Sequence, residues 1–301
     1  MKKRKIYLFI FLILLLGLSI IYLPAHLQKD EAIPEPEVKL YLSKKNEVLD
    51  LKLEEYLVGT VAAEMPASFD IEALKAQAVC ARTYAVRKII TEHPYPMGAD
   101  LSDDITCCQA YRSDYDEIAP RLREKIVQAV KETRREIMLY QEKPIDTLYH
   151  STCGGRTENA DEAWISGCPY LQSVRCGYCQ KSPHYRTRLA LSNRYITRQF
   201  GQSGDKINIQ ILDRTSSGRV KNLNLNKQEV SGEKFRRVLG LPSTSFTLEI
   251  HKDETIITCY GYGHGVGLCQ YGAGGMAKTG KNYRDILKTY YNGIDIYKMQ
   301  Y

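Results

Sequence analysis

Glu64 stands among apolar and small residues, with Val61, Ala62 and Ala63 before it and Met65 and Pro66 after it. A carboxyl group short of water holds its proton more tightly, as a general acid working near neutral pH requires. Gln77, Arg82 and Thr83 follow on the alanine-rich segment behind it. Read alone, a glutamate near a helix start serves equally well as a solvated charge or a cap that complements the helix dipole.

Two further segments carry chemistry. Tyr149-His150-Ser151-Thr152-Cys153-Gly154-Gly155-Arg156-Thr157-Glu158 reads as a strand entering a Gly-Gly turn with several small polar side chains. Such a turn lets a sugar approach the backbone and supplies hydroxyl partners. A tight turn with hydroxyls bonding locally is the simpler account. His150 and Ser151, adjacent on a strand, point to opposite faces and make a poor nucleophile pair. A Cys/His hydrolase built on His150, Cys153 or His264 would need a thiolate beside an imidazole, which the spacing does not impose. Gly261–Gly275 holds seven glycines in fifteen residues, together with His264, Cys269 and Gln270. It lacks the Gly-Lys-Ser/Thr ending and the strand-to-helix spacing of a phosphate loop. What it announces is a backbone that comes close to something, either a ligand or the protein itself.

The nine cysteines are Cys80, Cys107, Cys108, Cys153, Cys168, Cys176, Cys179, Cys259 and Cys269. Cys176-Gly177-Tyr178-Cys179 has the two-residue spacing of a zinc knuckle, and Cys107-Cys108 can supply the remaining ligands of a structural four-cysteine site. Disulfides and free thiols are the rival readings, and an odd count leaves one cysteine unpaired in any disulfide scheme. Cys80, on a face of small residues, reads as a buried thiol.

The elements that must position these groups form an α+β pattern. Val38–Leu42 and Val48–Leu53 alternate as paired strands around Lys44-Lys45-Asn46. Glu54–Glu64 has helical character. Asp70 offers an N-cap for a helix reaching about Ile90, with Leu74, Ala78, Ala81 and Ala85 on one face. Ala119–Thr133 reads as a helix, and Ile137–Tyr140 and Thr147–His150 as strands. Ile207–Leu225 forms a hairpin around Ser216-Ser217-Gly218. Gly232–Leu239 is helical, Phe246–Ile250 and Thr255–Tyr260 pair as strands, and Tyr283–Tyr291 is a last helix stopped by Asn292-Gly293. Strands and helices do not alternate regularly enough for a doubly wound sheet. The expectation is one large or two-lobed mixed domain with a substrate groove.

Lys2-Lys3-Arg4-Lys5 precedes an apolar run from Ile6 to about Leu23. Residues 1–28 thus read as a cytoplasmic basic tip and a single-pass membrane anchor, with the rest of the chain outside. A cleaved signal peptide is the rival reading. Residues 29–37, with Pro34 and Pro36 among acids, read as a linker, and 38–301 as the globular part. Four of the positive charges behind the formal net charge of +7 belong to the basic tip, so the outer domain is only mildly basic. That argues against a nucleic-acid binder and is compatible with an anionic cell-wall polymer. Trp164, the one tryptophan, could stack on a sugar or fill part of the core.

Taken together and in order, Glu54–Tyr84, His150–Thr157 with Pro169-Tyr170-Leu171, Ser217-Gly218-Arg219, Gly240–Phe246 and His264–Ala273 resemble the stage II sporulation protein D family, which are membrane-anchored lytic transglycosylases. The resemblance spans nearly the whole outer domain. It implies cleavage of the β-1,4 bond between N-acetylmuramic acid and N-acetylglucosamine in peptide-stripped glycan strands, leaving 1,6-anhydro ends. It puts the catalytic glutamate on Glu64 and recurrent polar residues on Gln77, Arg82, Ser151, Thr157, His264 and Gln270, where they would line the groove or orient the acid. It implies no cofactor for the chemistry. Some members carry a zinc site of cysteines and histidines near Cys107-Cys108, a mixed pattern this sequence does not reproduce. It also implies an amidase and a multipass membrane protein as partners in engulfment, and a place in the mother-cell membrane facing the forespore. The same domain occurs in amidase enhancers, so a glycan-binding activator without catalysis is the alternative.

Overall fold

The structure, a computed structural model, describes residues 33–91, 94–163, 167–204 and 206–301. The anchor expected over 1–28 and Trp164 lie outside the described residues. Among those described, no helix is long and apolar enough to cross a membrane. Glu37–Met299 form one compact unit of mixed α+β architecture, built from short helices and several small sheets around two hydrophobic cores.

The larger core is organised by the Ile71–Ile90 helix. Asp70 caps it by accepting from the Glu72 amide at 3.0 Å, and Leu74, Ala78, Ala81 and Ala85 are all fully buried. Side chains that small let other backbones approach. The helices Leu53–Glu64, Pro120–Glu132, Gln270–Lys278 and Tyr283–Tyr290 all pack against this one. Cys80 is a buried thiol beside the Tyr291 hydroxyl, as its neighbours suggested. The strands Glu37–Leu42 and Glu47–Lys52 pair antiparallel, with Val38, Leu40 and Leu42 turned into the core.

The second core is built from the chain between Arg186 and Tyr260. Two three-stranded antiparallel sheets contribute to it. One orders Phe246–Ile250, Glu254–Tyr260 and Arg186–Ser192, and the other Gln228–Ser231, Val220–Leu225 and Ile209–Arg214. Phe200, Phe235 and Phe246 stack in series between them. The Arg186–Ser192 strand and the Asn193–Gln199 helix have no counterpart in the sequence expectations.

Two differences bear on function. The strand expected over Thr147–His150 contracts to Tyr149–His150, which pairs in parallel with Leu268–Cys269. That short pairing brings the Ser151–Glu158 turn beside the glycine-rich segment. Within the latter, Gln270–Lys278 is a helix, despite Gly272, Gly274 and Gly275.

Candidate active site

Glu64 is the last residue of the Leu53–Glu64 helix, where the helical stretch expected over Glu54–Glu64 puts it, and it precedes the Asp70 cap of the next helix by six residues. The negative end of a helix disfavours a carboxylate, the opposite of a capping role. The start of this helix is fixed far away. Arg82, fully buried, grips Glu54 through two bonds of 3.0 and 2.7 Å and donates to the carbonyls of Glu136 and Val130. Ten residues of helix place that anchor about 15 Å from Glu64. Arg82 therefore sets the helix and does not line a groove.

Glu64 opens onto a cleft of about 520 Å³ lined by Ala62, Met65, Pro66, Arg112, Ser151, His184, Gln270 and Tyr271, among others. The Ala110 amide donates to Glu64 Oε1 at 2.7 Å, and the Gln270 side chain donates to the Glu64 carbonyl at 2.9 Å. Gln270 also donates to Gln77 Oε1 at 3.3 Å, so Gln77 is a buried support and not a wall. The Tyr149 hydroxyl bonds to the Glu64 carboxylate and is itself held by Gln109, which accepts in turn from Tyr56. Burial pushes the Glu64 pKa above the ordinary carboxylate value, while the bonds from Ala110 and Tyr149 pull it partly back. The result is a proton-holding acid whose affinity is trimmed by two donors. Among the described residues lining the cleft, Glu64 is the sole carboxylic acid.

Of the remaining predicted groove residues, Ser151 and Gln270 line the cleft. Thr157 does not. It is fully buried, and its hydroxyl accepts from the Val174 amide at 2.8 Å. His264 lies in a separate hollow of about 280 Å³ with Glu158, Thr215 and Arg219. Its Nε2 meets the Tyr149 carbonyl at 2.9 Å and its Nδ1 accepts from the Val266 amide at 3.1 Å. Burial lowers its pKa to about 4, so it is neutral at physiological pH. Its contact with the Tyr149 carbonyl links it to the acid through that residue's backbone.

The cleft also holds residues that the sequence did not single out. Ala110 and Arg112 arrive on a loop whose Arg112 amide donates to the Gly59 carbonyl, with the Tyr111 ring stacked on Tyr56. A Cβ on Gly59 would sit 2.3 Å from the Tyr111 ring, so this glycine admits the loop. His184 packs on Tyr262, which is 48% exposed, and together they offer flat apolar faces at the rim. Tyr271 follows Gln270 directly, and that adjacency was the one signal available for it.

The thiols regroup relative to expectation. Cys176 and Cys179 lie with Cys153 and Cys269, all four buried, their sulfurs within 4.8 Å of one another. Cys107 and Cys108 are elsewhere, on a turn closed onto Asp104 and tied by the Tyr84 and Tyr95 hydroxyls to the Cys107 carbonyl. The ligand set Cys107, Cys108, Cys176 and Cys179 is thus not brought together. Since the Cys153 thiol faces Cys179 at 3.5 Å and His150 Nδ1 meets the Val266 carbonyl, no thiol–imidazole pair forms between them.

Comparisons with known proteins find relatives of this chain. A family model described as "Stage II sporulation protein" matches residues 41–140. The "Stage II sporulation protein D" of Bacillus amyloliquefaciens is 37% identical over 289 residues, covering 90% of this chain and 84% of that protein. The protein of the same name from Bacillus subtilis (strain 168) is 37% identical over 270 residues, covering 86% and 78%. The "Amidase enhancer" of Bacillus subtilis (strain 168) is 29% identical over 299 residues, covering 80% of this chain and 40% of that protein.

Proposed function

This chain belongs to the stage II sporulation protein D family, and from that premise we propose that it is a lytic transglycosylase acting on peptidoglycan glycan strands. The observation that carries this reading is a cleft with one proton-holding carboxyl group and no second acid among its described lining residues. Ordinary glycosidases need two carboxyl groups flanking the scissile bond, one to protonate and one to attack or to activate water. A single acid suffices when the sugar supplies its own nucleophile. Protonated Glu64 gives its proton to the glycosidic oxygen as that bond to C1 of the muramic acid breaks. The C6 hydroxyl of the same ring closes onto C1, and its proton passes to Glu64. The carboxyl group ends as it began, and the new chain end is a 1,6-anhydro sugar. An attached hydroxyl has a high effective concentration, which removes the need for a bound water.

Ser151, Arg112 and Gln270 can hold the polar substituents of a strand along the cleft, and the exposed faces of His184 and Tyr262 can stack on sugar rings. The chemistry uses no cofactor. In this reading the basic tip and apolar run hold the unit at the outer face of a membrane, in the engulfment phase of sporulation. A cell-wall amidase that strips stem peptides and a multipass membrane protein would act beside it.

The similarity to a protein named "Amidase enhancer" favours one alternative, a glycan-binding activator that does not cut. Glu64 separates the two. The full chain is incubated with peptide-free glycan strands, and anhydro-muramic ends are sought by mass spectrometry. Glu64→Gln should still bind strands and lose those ends by at least about a hundredfold, the usual share of general acid–base catalysis. Undiminished cleavage by that variant would end the assignment, and strand binding without cleavage by the unaltered chain would favour the activator.

A further inference from the structure

Cys153 follows the Tyr149–His150 strand, Cys176 and Cys179 lie on an irregular segment, and Cys269 ends the Leu268–Cys269 strand. Three separate stretches of chain thus deliver four buried sulfurs to one point, within 4.8 Å of one another. The Cys153 and Cys179 sulfurs are 3.5 Å apart. A disulfide needs about 2.05 Å. Four thiolates at about 2.3 Å around a tetrahedral zinc ion stand about 3.8 Å from each other. The spacing therefore suits a shared central ion better than two covalent pairs.

The surroundings are those of a ligated sulfur cluster. The amides of Cys153 and Gly272 both point at Cys269 Sγ, each at 3.3 Å, and the Tyr290 hydroxyl meets Cys176 Sγ at 3.2 Å. Donors of this kind orient thiolate ligands and offset their charge. Four thiolates and one divalent ion leave a net charge of two minus. Arg219, fully buried, donates to the Cys153 carbonyl at 3.1 Å and supplies a nearby positive charge. Packing gives a further argument. Between Ala163 and Arg186 the described chain contains no helix or strand. Backbone bonds from Ala160 to Leu171, Thr157 to Val174 and Cys176 to Gly155 hold its middle against the preceding turn, and Cys176 and Cys179 add a tie to Cys153 and Cys269.

We infer that Cys153, Cys176, Cys179 and Cys269 form a tetrathiolate site for a structural zinc ion, which fixes the wall of the cleft that carries Ser151 and Gln270. Cys153 is two residues beyond Ser151. Cys269 directly precedes Gln270, whose side chain holds the Glu64 carbonyl. The ion has four protein ligands and no open position, so its role is architectural. Its binding displaces the thiol protons and involves no change of oxidation state.

The test is metal and thiol analysis of the full-length chain purified without chelator. About one equivalent of zinc per chain should survive gel filtration, as expected for a closed four-thiolate site. Besides Cys80, Cys168 and Cys259, which are buried with or without an ion, four of the nine cysteines should resist a thiol reagent until the metal is extracted. Cobalt(II) exchanged into the same protein should give the intense charge-transfer and visible bands of tetrahedral sulfur ligation. Extraction should also open Arg175 and Lys181, in the irregular segment, to trypsin. Cys107→Ser with Cys108→Ser should keep the metal, and Cys176→Ser should lose it. A metal-free chain whose mass is lowered by the hydrogens of two disulfides would overturn the inference. So would a chain that carries no metal as purified and whose four site thiols react freely, or loss of the zinc on replacing Cys107 and Cys108. The spectroscopic and thiol measurements use the unaltered protein and stand even if Cys176→Ser does not fold.

Discussion

At the scale of single residues, Glu64 is balanced between opposing influences. Burial and the negative end of its helix favour the protonated form, while the Ala110 amide and the Tyr149 hydroxyl favour the charged form. Tyr149 is thus a positioning residue whose loss has a signed consequence. Tyr149→Phe deletes a donor to the carboxylate, so the pKa of Glu64 must rise. The limb on which activity falls as the acid ionises should then move to higher pH, whatever happens to the maximal rate. A pH profile of anhydro-end formation checks this, and a limb that stays in place or moves down would show that Tyr149 does not act on the acid. The substitution also strands the buried Gln109 amide and should cost about 1 to 3 kcal/mol of stability. Linkage gives Glu64 a second signature. A carboxyl group whose folded pKa is raised contributes stability that is complete below its unfolded pKa and is lost as pH rises through the folded value. Glu64→Gln should therefore be more stable than the unaltered chain above that range, and the two should converge in acid. Thermal unfolding across pH measures the difference.

At the scale of elements, the Gln270–Lys278 helix shows what a sequence can hide. Each glycine in a helix interior costs about 1 kcal/mol relative to alanine, so local propensity reads this stretch as a loop. Packing overrides it. A Cβ on Gly272 would lie 2.1 Å from Tyr290 Oη and 2.7 Å from Cys176 Sγ, and one on Gly275 would lie 2.2 Å from the Tyr178 carbonyl. Gly272→Ala gains about 1 kcal/mol in helix propensity. It loses about 1 to 3 kcal/mol by overpacking, toward the upper end because both neighbours are buried. A net loss of about 1 to 2 kcal/mol in denaturant unfolding is expected from those two terms. A stabilised variant would mean that the helix tolerates a wider gap than its packing indicates. The same contrast explains what was legible. The Asp70 cap, the small-residue face of Ile71–Ile90, the Ser216-Ser217-Gly218 hairpin and the Gly232–Leu239 helix follow from local rules, and the structure has them. Glu64 stood out because its apolar neighbours are adjacent in the chain. Ala110, Arg112 and His184 are brought to the cleft by loops, and nothing local marks them. The glycines of Gly261–Gly267 did signal a close approach, but to the protein itself. A Cβ on Gly267 would sit 2.0 Å from the Leu148 carbonyl, and one on Gly265 would sit 2.3 Å from Arg219. The cysteine set was misread for a related reason. Spacing reveals the Cys176–Cys179 knuckle, whereas Cys153 and Cys269 join it only through the parallel pairing of Tyr149–His150 with Leu268–Cys269.

At the scale of the whole molecule, two cores must act as one body if the Ser151–Glu158 turn is to hold its place beside Glu64. The structure joins them through charge. Arg219 leaves the hairpin of the smaller core, is fully buried, and reaches the Cys153 carbonyl and, at 3.9 Å, the Glu158 carboxylate. Glu158 Oε2 also accepts from Thr215 and Ser217 of that hairpin, and its Oε1 accepts from the Asn159 amide. Arg219 is the less satisfied partner, because among the described residues its Nε and Nη1 have no hydrogen-bond acceptor. A buried cation of this kind persists where anions surround it. Removing one member of such a pair leaves an uncompensated charge and costs about 3 to 5 kcal/mol, whereas removing both is far milder. Arg219→Met should therefore be severely destabilised, and Glu158→Gln should be destabilised less, since its hydroxyl donors can bond to an amide oxygen. The double variant Arg219→Met/Glu158→Gln should recover part of the loss. A double-mutant cycle by denaturant unfolding reads the coupling directly. Additive losses would mean that the two side chains do not share a charge balance, and that backbone bonds such as Gly263 to the Pro242 carbonyl, with apolar packing, hold the cores together without it.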